Sequence, residues 1–471
     1  MALDPTAVAN SVNNIWILLV SFLIFFMQPG FALLEAGQVR AKNAANVVMK
    51  NLMDWSLGLL SYFLLGSAVA VIAGLVTTGG AGLDLSTAFA FQGEASSWIG
   101  WLFGAVFAMT AATIVSGAVA GRMKFSAYVI FAVVLTAFIY PVIQGFAWGG
   151  NGLLSSAGFL GEAIGAGYKD FAGATVVHAL GGTAGLTAAY MVGARSGRFD
   201  SDGNSQPIPG HSLIFAVLGT LILAFGWYGF NVGTQATVLS VAEDGTVSYM
   251  GGALGRVALT TTLAMGAGAV ASTIVTAIQD KPDPLFAANG LLAGLVAITG
   301  ACAHVTWWGG LIIGAIGGLQ APFVYRWVVD SLGIDDVCGV FAVHGSAGFI
   351  GTALIPFFWT EYWLGDAVIN DVITQFAMQM TGIVVIGVWA VLATMVTLTI
   401  VRAIVGSLKV TPEEEAEGLD LGEHGISAYP EFGEGSGSPG AEAVADGGEV
   451  RTDGGEVRTD GGRSLNGGDN E

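Results

Sequence analysis

Charged residues are scarce in this chain. Only 11% of its 471 residues are Asp, Glu, Lys or Arg, whereas about a quarter are charged in an average soluble domain. Hydrophobic residues make up 54% of the chain, and the mean hydropathy is +0.69. Apolar runs recur along it, and many are long enough to cross a hydrocarbon core of roughly 30 Å as a helix. The composition excludes an ordinary soluble domain, and the length of the runs disfavours a β-barrel, whose strands are shorter and alternate.

Cationic side chains and cysteines are scarcer still. There are 16 Lys and Arg residues against 35 Asp and Glu, so the net charge is −19, which disfavours nucleic-acid binding. The stretch from Thr411 to the C-terminus holds 16 acidic residues and three arginines. Such a composition is typical of a solvated extension. The two cysteines, Cys302 and Cys338, lie in or beside apolar segments and are interpreted as small packing residues.

Eleven apolar spans are predicted, and the charges between them predict an orientation. The spans cover about residues 13–35, 45–74, 97–120, 126–146, 171–194, 212–236, 251–277, 284–302, 305–328, 337–357 and 372–405. Eleven of the 13 Lys and Arg residues before residue 411 fall on one side of these spans. The positive-inside rule assigns that side to the cytoplasm. We therefore expect the N-terminus outside and the C-terminus in the cytoplasm.

Two stretches of nine residues, 170–178 and 336–344, are copies of one another. Each begins with Asp, has Gly three residues later and ends in Val-His, at His178 and His344. Glycines follow each His at four and seven residues. The copies fall on spans five and ten, which run in opposite directions, and eight helical residues rise about 12 Å. Both rings are therefore expected near the midplane of an inverted repeat, which is typical of transporters, with the eleventh span outside the repeat.

Ionisable residues within a membrane span are costly and usually functional. His178 and His344 could bond one another and present polar atoms to a small solute, or exchange protons near neutral pH. They could also ligate haem iron or another metal. Asp170 and Asp336 precede the cores of their spans, where Asp commonly caps a helix, and Asp170 could also stabilise a cation near the outer mouth.

Several ordered motifs resemble the ammonium transporters of the Amt/Mep group over roughly residues 13–430. The matching motifs are Pro-Gly-Phe-Ala-Leu from Pro29, Arg-Ala-Lys-Asn from Arg40, Gly-Ala-Val-Ala-Gly-Arg from Gly117, Ala-Trp-Gly-Gly from Ala147, the two Asp-to-His copies, Gly-Phe-Asn from Gly229, and the acidic segment from Pro412. The stretch 26–37 of the first span, which includes Gln28, Pro29 and Glu35, resembles one subgroup of the family more than another, and we attach no functional difference to it.

The resemblance implies a fold, a solute and site residues. It implies an all-α polytopic membrane protein with eleven helices around a pore, in each subunit of a homotrimer in the plasma membrane. It implies no enzymatic activity and no cofactor. The family's functional residues match Trp148, Phe107 and Thr234 for ammonium recruitment, Phe107 and Phe230 for the gate, His178 and His344 for the twin-His pore, and Asp170 for support of the vestibule. Many members have Ser where this chain has Thr234.

The resemblance also implies a domain plan and a regulator. Residues 1–405 are expected to form the transmembrane ammonium transporter domain, and residues 406–432 a structured cytoplasmic segment. Residues 433–471 are expected to be a disordered, acidic, low-complexity tail. The cytoplasmic loops and residues 412–429 resemble the surface that PII-type (GlnK-like) proteins plug in nitrogen assimilation.

Four readings stay open beside electrogenic ammonium transport. One is an ammonium sensor with little flux, and another is a neutral ammonia channel. A Rhesus-type gas channel is disfavoured by the matches at Trp148 and Thr234. A bis-His haem electron carrier would show a Soret band.

Overall fold

A bundle of long apolar helices makes up the computed structural model, which describes residues 4–76 and 88–432. Among those residues, nine helices are long and apolar enough to cross a membrane. The helical segments 174–192 and Pro284–Thr299 occupy the two remaining predicted spans. The prediction of an all-α polytopic fold with eleven spans is confirmed.

The elements are numbered along the chain. The α-helices are α1 (Pro5–Phe25), α2 (Met27–Gln38), α3 (Ala44–Ser61), α4 (Ser67–Val76), α5 (Trp98–Val119), α6 (Phe125–Val134), α7 (Tyr140–Trp148), α8 (Phe159–Ile164), α9 (Leu180–Val192), α10 (Leu213–Thr234), α11 (Gly251–Gln279), α12 (Pro284–Thr299), α13 (Trp307–Arg326), α14 (Ala347–Leu354), α15 (Thr360–Trp363), α16 (Ile369–Val405), α17 (Pro412–Glu417) and α18 (Leu419–His424). Short π-helices span Tyr62–Gly66, Leu135–Ile139, Ala174–Ala179, Trp327–Ser331 and Phe341–Ser346. Turns of 3₁₀-helix span Ala41–Asn43, Ala90–Gly93, Ala95–Ser97, Ile355–Phe358 and Pro430–Phe432.

Capping side chains explain where several helices begin. The carboxylates of Asp4 and Asp283 and the hydroxyls of Ser212, Thr306 and Thr411 each accept a backbone N–H from the first turn that follows. These residue types satisfy the amide groups that a helix leaves unpaired at its start. The cap at Asp4 explains why the first helix begins well before residue 13, where the apolar run starts.

Glycines let the helices of the bundle approach closely. A Cβ atom added to Gly318 of α13 would lie 2.0 Å from the carbonyl oxygen of Gly268 in α11, and one added to Gly219 of α10 would lie 2.4 Å from the amide nitrogen of Leu34 in α2. Side chains at these positions would push the helices apart, so the glycines serve as packing surfaces.

The two copies of the Asp-to-His motif pack against each other. A Cβ atom on Gly182, four residues after His178, would lie 2.3 Å from the amide nitrogen of Gly345. A Cβ atom on Gly348, four residues after His344, would lie 2.2 Å from the carbonyl oxygen of Ala174. The glycine at the same offset in each copy thus contacts the opposite copy, as expected for an inverted repeat.

A two-stranded hairpin interrupts the helices between α10 and α11. Strand β1 (Leu239–Val241) pairs antiparallel with β2 (Val247–Tyr249), with Ser240 opposite Ser248. Gly245 turns the chain with a φ of +79°. The side-chain oxygen of Asn13 accepts from the amide of Leu239 at 3.0 Å, so the start of α1 and the hairpin lie on one face.

The segment 406–428 belongs to the same compact unit as the helices, Met1–Ala428. The Asp420 carboxylate accepts the amides of Ala45 and Asn46 at 3.0 and 2.8 Å. The Glu415 carboxylate accepts the amide of Ser196 at 2.6 Å. The segment therefore closes over the loops that precede α3 and follow α9. The second unit, Tyr429–Glu471, is described only through its 3₁₀ turn Pro430–Phe432, and the tail predicted to be disordered, 433–471, lies outside the described residues.

Candidate functional site

The two histidines of the repeated motif meet at the centre of the bundle. Their Nδ1 atoms are 3.2 Å apart, and their rings are stacked at a centroid distance of 5.3 Å and an angle of 17°. Both side chains are buried, with 0% and 5% of their surface exposed. Each lies in a short π-helix, Ala174–Ala179 or Phe341–Ser346. Single π-helical turns are frequent at functional sites.

The contact between the Nδ1 atoms constrains how protons are distributed. One Nδ1 must carry the hydrogen and the other must accept it. In a pair of neutral rings, one Nε2 is then an acceptor and the other a donor. Within the described chain, Nε2 of His178 has no hydrogen-bond partner. The pair can therefore bind a small solute that both donates and accepts, and can pass a proton from one ring to the other.

A cavity, here called the vestibule, is separated from the two histidines by Phe107 and Phe230. It has a volume of about 340 Å³. Its lining includes Phe107, Trp148, Thr234, Gln144, Phe103 and Phe171. All three residues that match the family's recruitment site thus line one cavity. The Thr234 hydroxyl donates to the carbonyl of Phe230 at 2.8 Å, which leaves its oxygen free to accept.

Aromatic rings in edge-to-face and tilted contact lie between the vestibule and the histidines. Phe107 lies 5.9 Å from Trp148, edge to face, and 4.2 Å from Phe230 between ring centroids. Phe230 in turn lies 5.3 Å from His178. Phe107 and Phe230 are 3% and 0% exposed. The order from vestibule to histidines is therefore Phe107, Phe230, His178, so both phenylalanine rings lie between the vestibule and the histidine pair.

Asp170 organises the turn that carries His178. Its carboxylate accepts four backbone amides, from Gly173 through Val176, at 2.7 to 3.1 Å, and also the Thr175 hydroxyl at 2.6 Å. Its own carbonyl accepts from the Trp148 indole at 2.8 Å. The carboxylate therefore fixes the start of the helix, and the carbonyl fixes an aromatic wall of the vestibule.

Gly173 and Asp336 also shape the two copies of the repeated motif. Gly173 adopts a φ of +98°, and a Cβ atom there would lie 2.6 Å from the Val177 side chain, so only glycine fits this start of the turn. Asp336, the counterpart of Asp170, accepts the amides of Val340 and Phe341 at 2.9 and 2.8 Å. The prediction that Asp336 caps a helix is confirmed.

The sequence model of the Ammonium Transporter Family matches residues 15–429. The chain belongs to this family. It is a family of transporters, not enzymes, and this member is a multi-pass membrane protein.

Three proteins of the ammonium transporter family are similar to this chain along most of its length. Ammonium transporter Amt1 of Haloferax mediterranei is 64% identical over 433 residues, which cover 92% of this chain and 82% of that protein. Ammonium transporter Amt2 of the same organism is 49% identical, over 93% of this chain and 94% of that protein. The solved structure of a Sensor Amt Protein is 33% identical with a TM-score of 0.77, and the match covers 89% of this chain and all of that one.

Several residues of the site in this ammonium transporter family member were missed by the sequence analysis. Trp227 stacks on His178 at 4.9 Å and 13°, and Gln144 lines the vestibule. Neither belongs to the repeated motif, and nothing in the spacing of aromatic or amide residues distinguishes them from packing residues. His304, between α12 and α13, lies 6.0 Å from Phe171 of the vestibule. Burial lowers the pKa of His304 to about 3, so this ring is neutral at pH 7.

Proposed function

We propose that this protein transports ammonium across the plasma membrane by separating it into ammonia and a proton. Ammonium is recruited in the vestibule by Trp148, Phe107 and Thr234, and it loses its proton near the Phe107–Phe230 gate. Ammonia then passes His178 and His344, and the proton is relayed through the same two rings. One net charge crosses with each ammonium. The observation that carries the proposal is the 3.2 Å contact between the Nδ1 atoms, directly behind the aromatic gate.

The physical chemistry of the path favours separation over passage of the intact ion. A charged group inside a bilayer costs several kcal/mol or more, and the buried gate offers only ring faces. Aromatic faces and a hydroxyl oxygen attract a cation in the wider, partly open vestibule. Beyond the gate, the imidazole nitrogens supply hydrogen bonds to a neutral molecule and a route for its proton.

The test is ammonium transport by the purified protein in liposomes. An ammonium jump should evoke current in the wild type, and labelled methylammonium should enter. His178→Ala and His344→Ala should abolish the current, and Trp148→Leu should weaken uptake at low concentration. Uptake without current in the wild type would overturn the electrogenic scheme and leave a neutral ammonia channel. Normal transport by all three variants would overturn the site assignment.

A second candidate function is ammonium sensing with little flux. It is favoured by the similarity to the structure of a Sensor Amt Protein. The two functions share the vestibule and differ in turnover. Binding of ammonium without uptake of labelled methylammonium would identify a sensor.

We further propose that the protein is a homotrimer regulated from the cytoplasm by a PII-type (GlnK-like) protein. The hydrogen bonds that hold the segment 406–428 against the start of α3 and the loop after α9 support this proposal. A chain lacking residues 411–430 should lose co-purification with a PII protein, whereas one lacking only 433–471 should keep it. Unchanged binding after the first deletion would overturn the assignment.

A further inference from the structure

A buried glutamate lines a cavity together with one of the twin histidines, and the proposed transport path does not use it. Glu35 of α2 is 2% exposed. Together with His344 it lines a cavity of about 20 Å³, here called the inner cavity. This volume is enough for about one water-sized molecule, which is also the size of ammonia. Phe31, Leu34 and Ile114 make much of the remaining wall apolar.

The inner cavity continues the path from the vestibule. His344 contacts His178 on one side and lines the inner cavity on the other. The ring of Phe31 lies 6.2 Å from that of His344. A molecule that has passed both imidazoles would therefore enter a cavity that Glu35 also lines.

Neutral donors hold the carboxyl group in place. The Ser116 hydroxyl lies 2.7 Å from both carboxylate oxygens, and the Asn51 amide donates to Oε2 at 3.1 Å. Among the described residues, no ion pair involves Glu35. A buried carboxylate without a counter-ion is costly, and a glutamine could accept the same bonds. The carboxyl group therefore offers something that an amide does not, which is a proton that can be bound and released.

Asp54, a second buried carboxylate nearby, is placed differently. It is 0% exposed and accepts from the Tyr128 hydroxyl at 2.6 Å and from the Gln28 amide at 2.9 Å. It lines neither the vestibule nor the inner cavity. Asp54 thus shares the burial and the carboxyl group of Glu35 but lines neither cavity, which makes it a matched control.

The titratable groups that face Glu35 come from several elements. His344 and Cys338 share the inner cavity. Lys50 of α3 acts on Glu35 through space, and Glu35 acts in the same way on Asp54 of α3 and Tyr128 of α6. The Lys50 ammonium donates to the carbonyl of Met123 at 2.9 Å instead of to Glu35.

We propose that Glu35 returns the proton to ammonia beyond His344. This step rests on the electrogenic function proposed above. The imidazolium of His344 gives its proton to the Glu35 carboxylate, which becomes a carboxylic acid and leaves a neutral ring. Ammonia in the inner cavity then takes that proton on its lone pair, and ammonium and the carboxylate are formed. The transfer is favourable because ammonia is a stronger base than a carboxylate, and it needs no further reactant.

The test compares charge with solute in liposomes that hold the full chain. Current after an ammonium jump and uptake of labelled methylammonium are measured for wild type, Glu35→Gln and Asp54→Asn. Glu35→Gln should lower the ratio of charge to solute by roughly tenfold or more, because proton transfer by a positioned group contributes at least that much. Asp54→Asn should keep the wild-type ratio. A purely structural role would lower current and uptake together and leave the ratio unchanged.

The outcomes separate this step from the function on which it rests. Uptake without current in the wild type overturns the electrogenic function. A wild-type current with an unchanged ratio in Glu35→Gln, or an equal fall in Asp54→Asn, overturns the role of Glu35 alone. If Glu35→Gln does not fold, Glu35→Asp and Glu35→Asn make the same comparison at one side-chain length. The ratio of charge to solute should then stay near wild type in Glu35→Asp and fall in Glu35→Asn. Equal ratios in the two variants would overturn the proposal.

Discussion

Single side chains in the site are oriented by bonds to the backbone, and this decides which of their atoms face the solute. Thr234 donates its hydroxyl hydrogen to the Phe230 carbonyl, and Trp148 donates its indole N–H to the Asp170 carbonyl. What remains in the vestibule is a hydroxyl lone pair and an indole face. Both attract a cation and neither donates to it, so we expect the vestibule to favour ammonium over a neutral solute.

Removing the hydroxyl at position 234 should weaken recruitment. Thr234→Val keeps the shape of the side chain and removes its hydrogen-bond acceptor. The ammonium concentration for half-maximal current should therefore rise roughly tenfold, which is the effect of losing one hydrogen bond to a charged partner. Thr234→Ser keeps the hydroxyl and should stay near wild type. Equal responses of the Val and Ser variants would show that the hydroxyl does not bind the solute.

Asp335 connects the loop that follows α5 with the loop that follows α9, and both loops carry arginines. Its carboxylate accepts from the Arg195 guanidinium at 2.8 and 2.9 Å and lies 3.3 Å from Arg198, while its carbonyl accepts from Arg122 at 2.6 Å. Burial opposes its ionisation, but the bonds from Arg195 and the charge of Arg122 outweigh burial and hold the pKa of Asp335 well below its usual range.

The stability that Asp335 supplies should depend on pH in one direction. Because its folded pKa is depressed, the contribution is complete above about pH 4, the unfolded value, and is lost as pH falls through the folded pKa. Asp335→Asn should cost about 3–5 kcal/mol at pH 7, since it leaves buried arginines without a partner, and the difference from wild type should shrink below pH 4. Thermal unfolding in detergent at several pH values measures this, with the exposed Asp202→Asn as a control that should change little.

At the scale of elements, the site depends on two short π-helices that cross closely. The turns Ala174–Ala179 and Phe341–Ser346 bring the histidines together because Gly182 packs on the backbone of Gly345. Any side chain at this crossing would widen the gap between the turns. The distance between the two imidazoles is therefore set by glycines one helical turn away from them.

Gly182→Ala should separate the histidines and abolish transport. The added Cβ would lie 2.3 Å from the amide nitrogen of Gly345, and backbone cannot move away as a flexible side chain can. Gly387→Ala in α16 is the control, because its Cβ would meet only the Phe349 ring at 3.4 Å. The ammonium-evoked current and the midpoint temperature of thermal unfolding should both fall in Gly182→Ala and stay near wild type in Gly387→Ala. Normal current in Gly182→Ala would contradict the crossing as the determinant of the pair.

The number and direction of the membrane-spanning helices could be predicted from the sequence, whereas the local backbone form within and between them could not. Span length and the repeated Asp-to-His motif predicted eleven helices and two opposed histidines, because hydropathy and charge carry that information. The π-helical form of the His-bearing turns and the hairpin before α11 were missed, since one extra residue in a turn leaves no signal in hydropathy. The stack of Trp227 on His178 was missed because it joins spans five and six through tertiary packing. The roles assigned to Trp148, Thr234 and Asp170 stay predictions, although these residues lie together.

At the scale of the whole molecule, basic residues gather on one face of the bundle. The segment 406–428 contacts the loops around residues 39–46, 122–125 and 194–196, and these loops hold Arg40, Lys42, Arg122, Lys124 and Arg195. The start of α1 and the hairpin lie together at another face, where Asn13 binds β1. The positive-inside rule therefore predicts that the docked segment lies in the cytoplasm and the hairpin outside.

Labelling of introduced cysteines should reveal this orientation. Asp244 in the hairpin turn and Asp202 between α9 and α10 are both exposed, whereas the two native cysteines are buried and free, with 0% and 7% exposed surface. In intact cells, a membrane-impermeant maleimide should label Asp244→Cys and leave Asp202→Cys unlabelled until the membrane is permeabilised. The unsubstituted protein should not react in either condition. The opposite pattern would place the basic face outside, and a regulator in the cytoplasm could then not reach the segment 406–428.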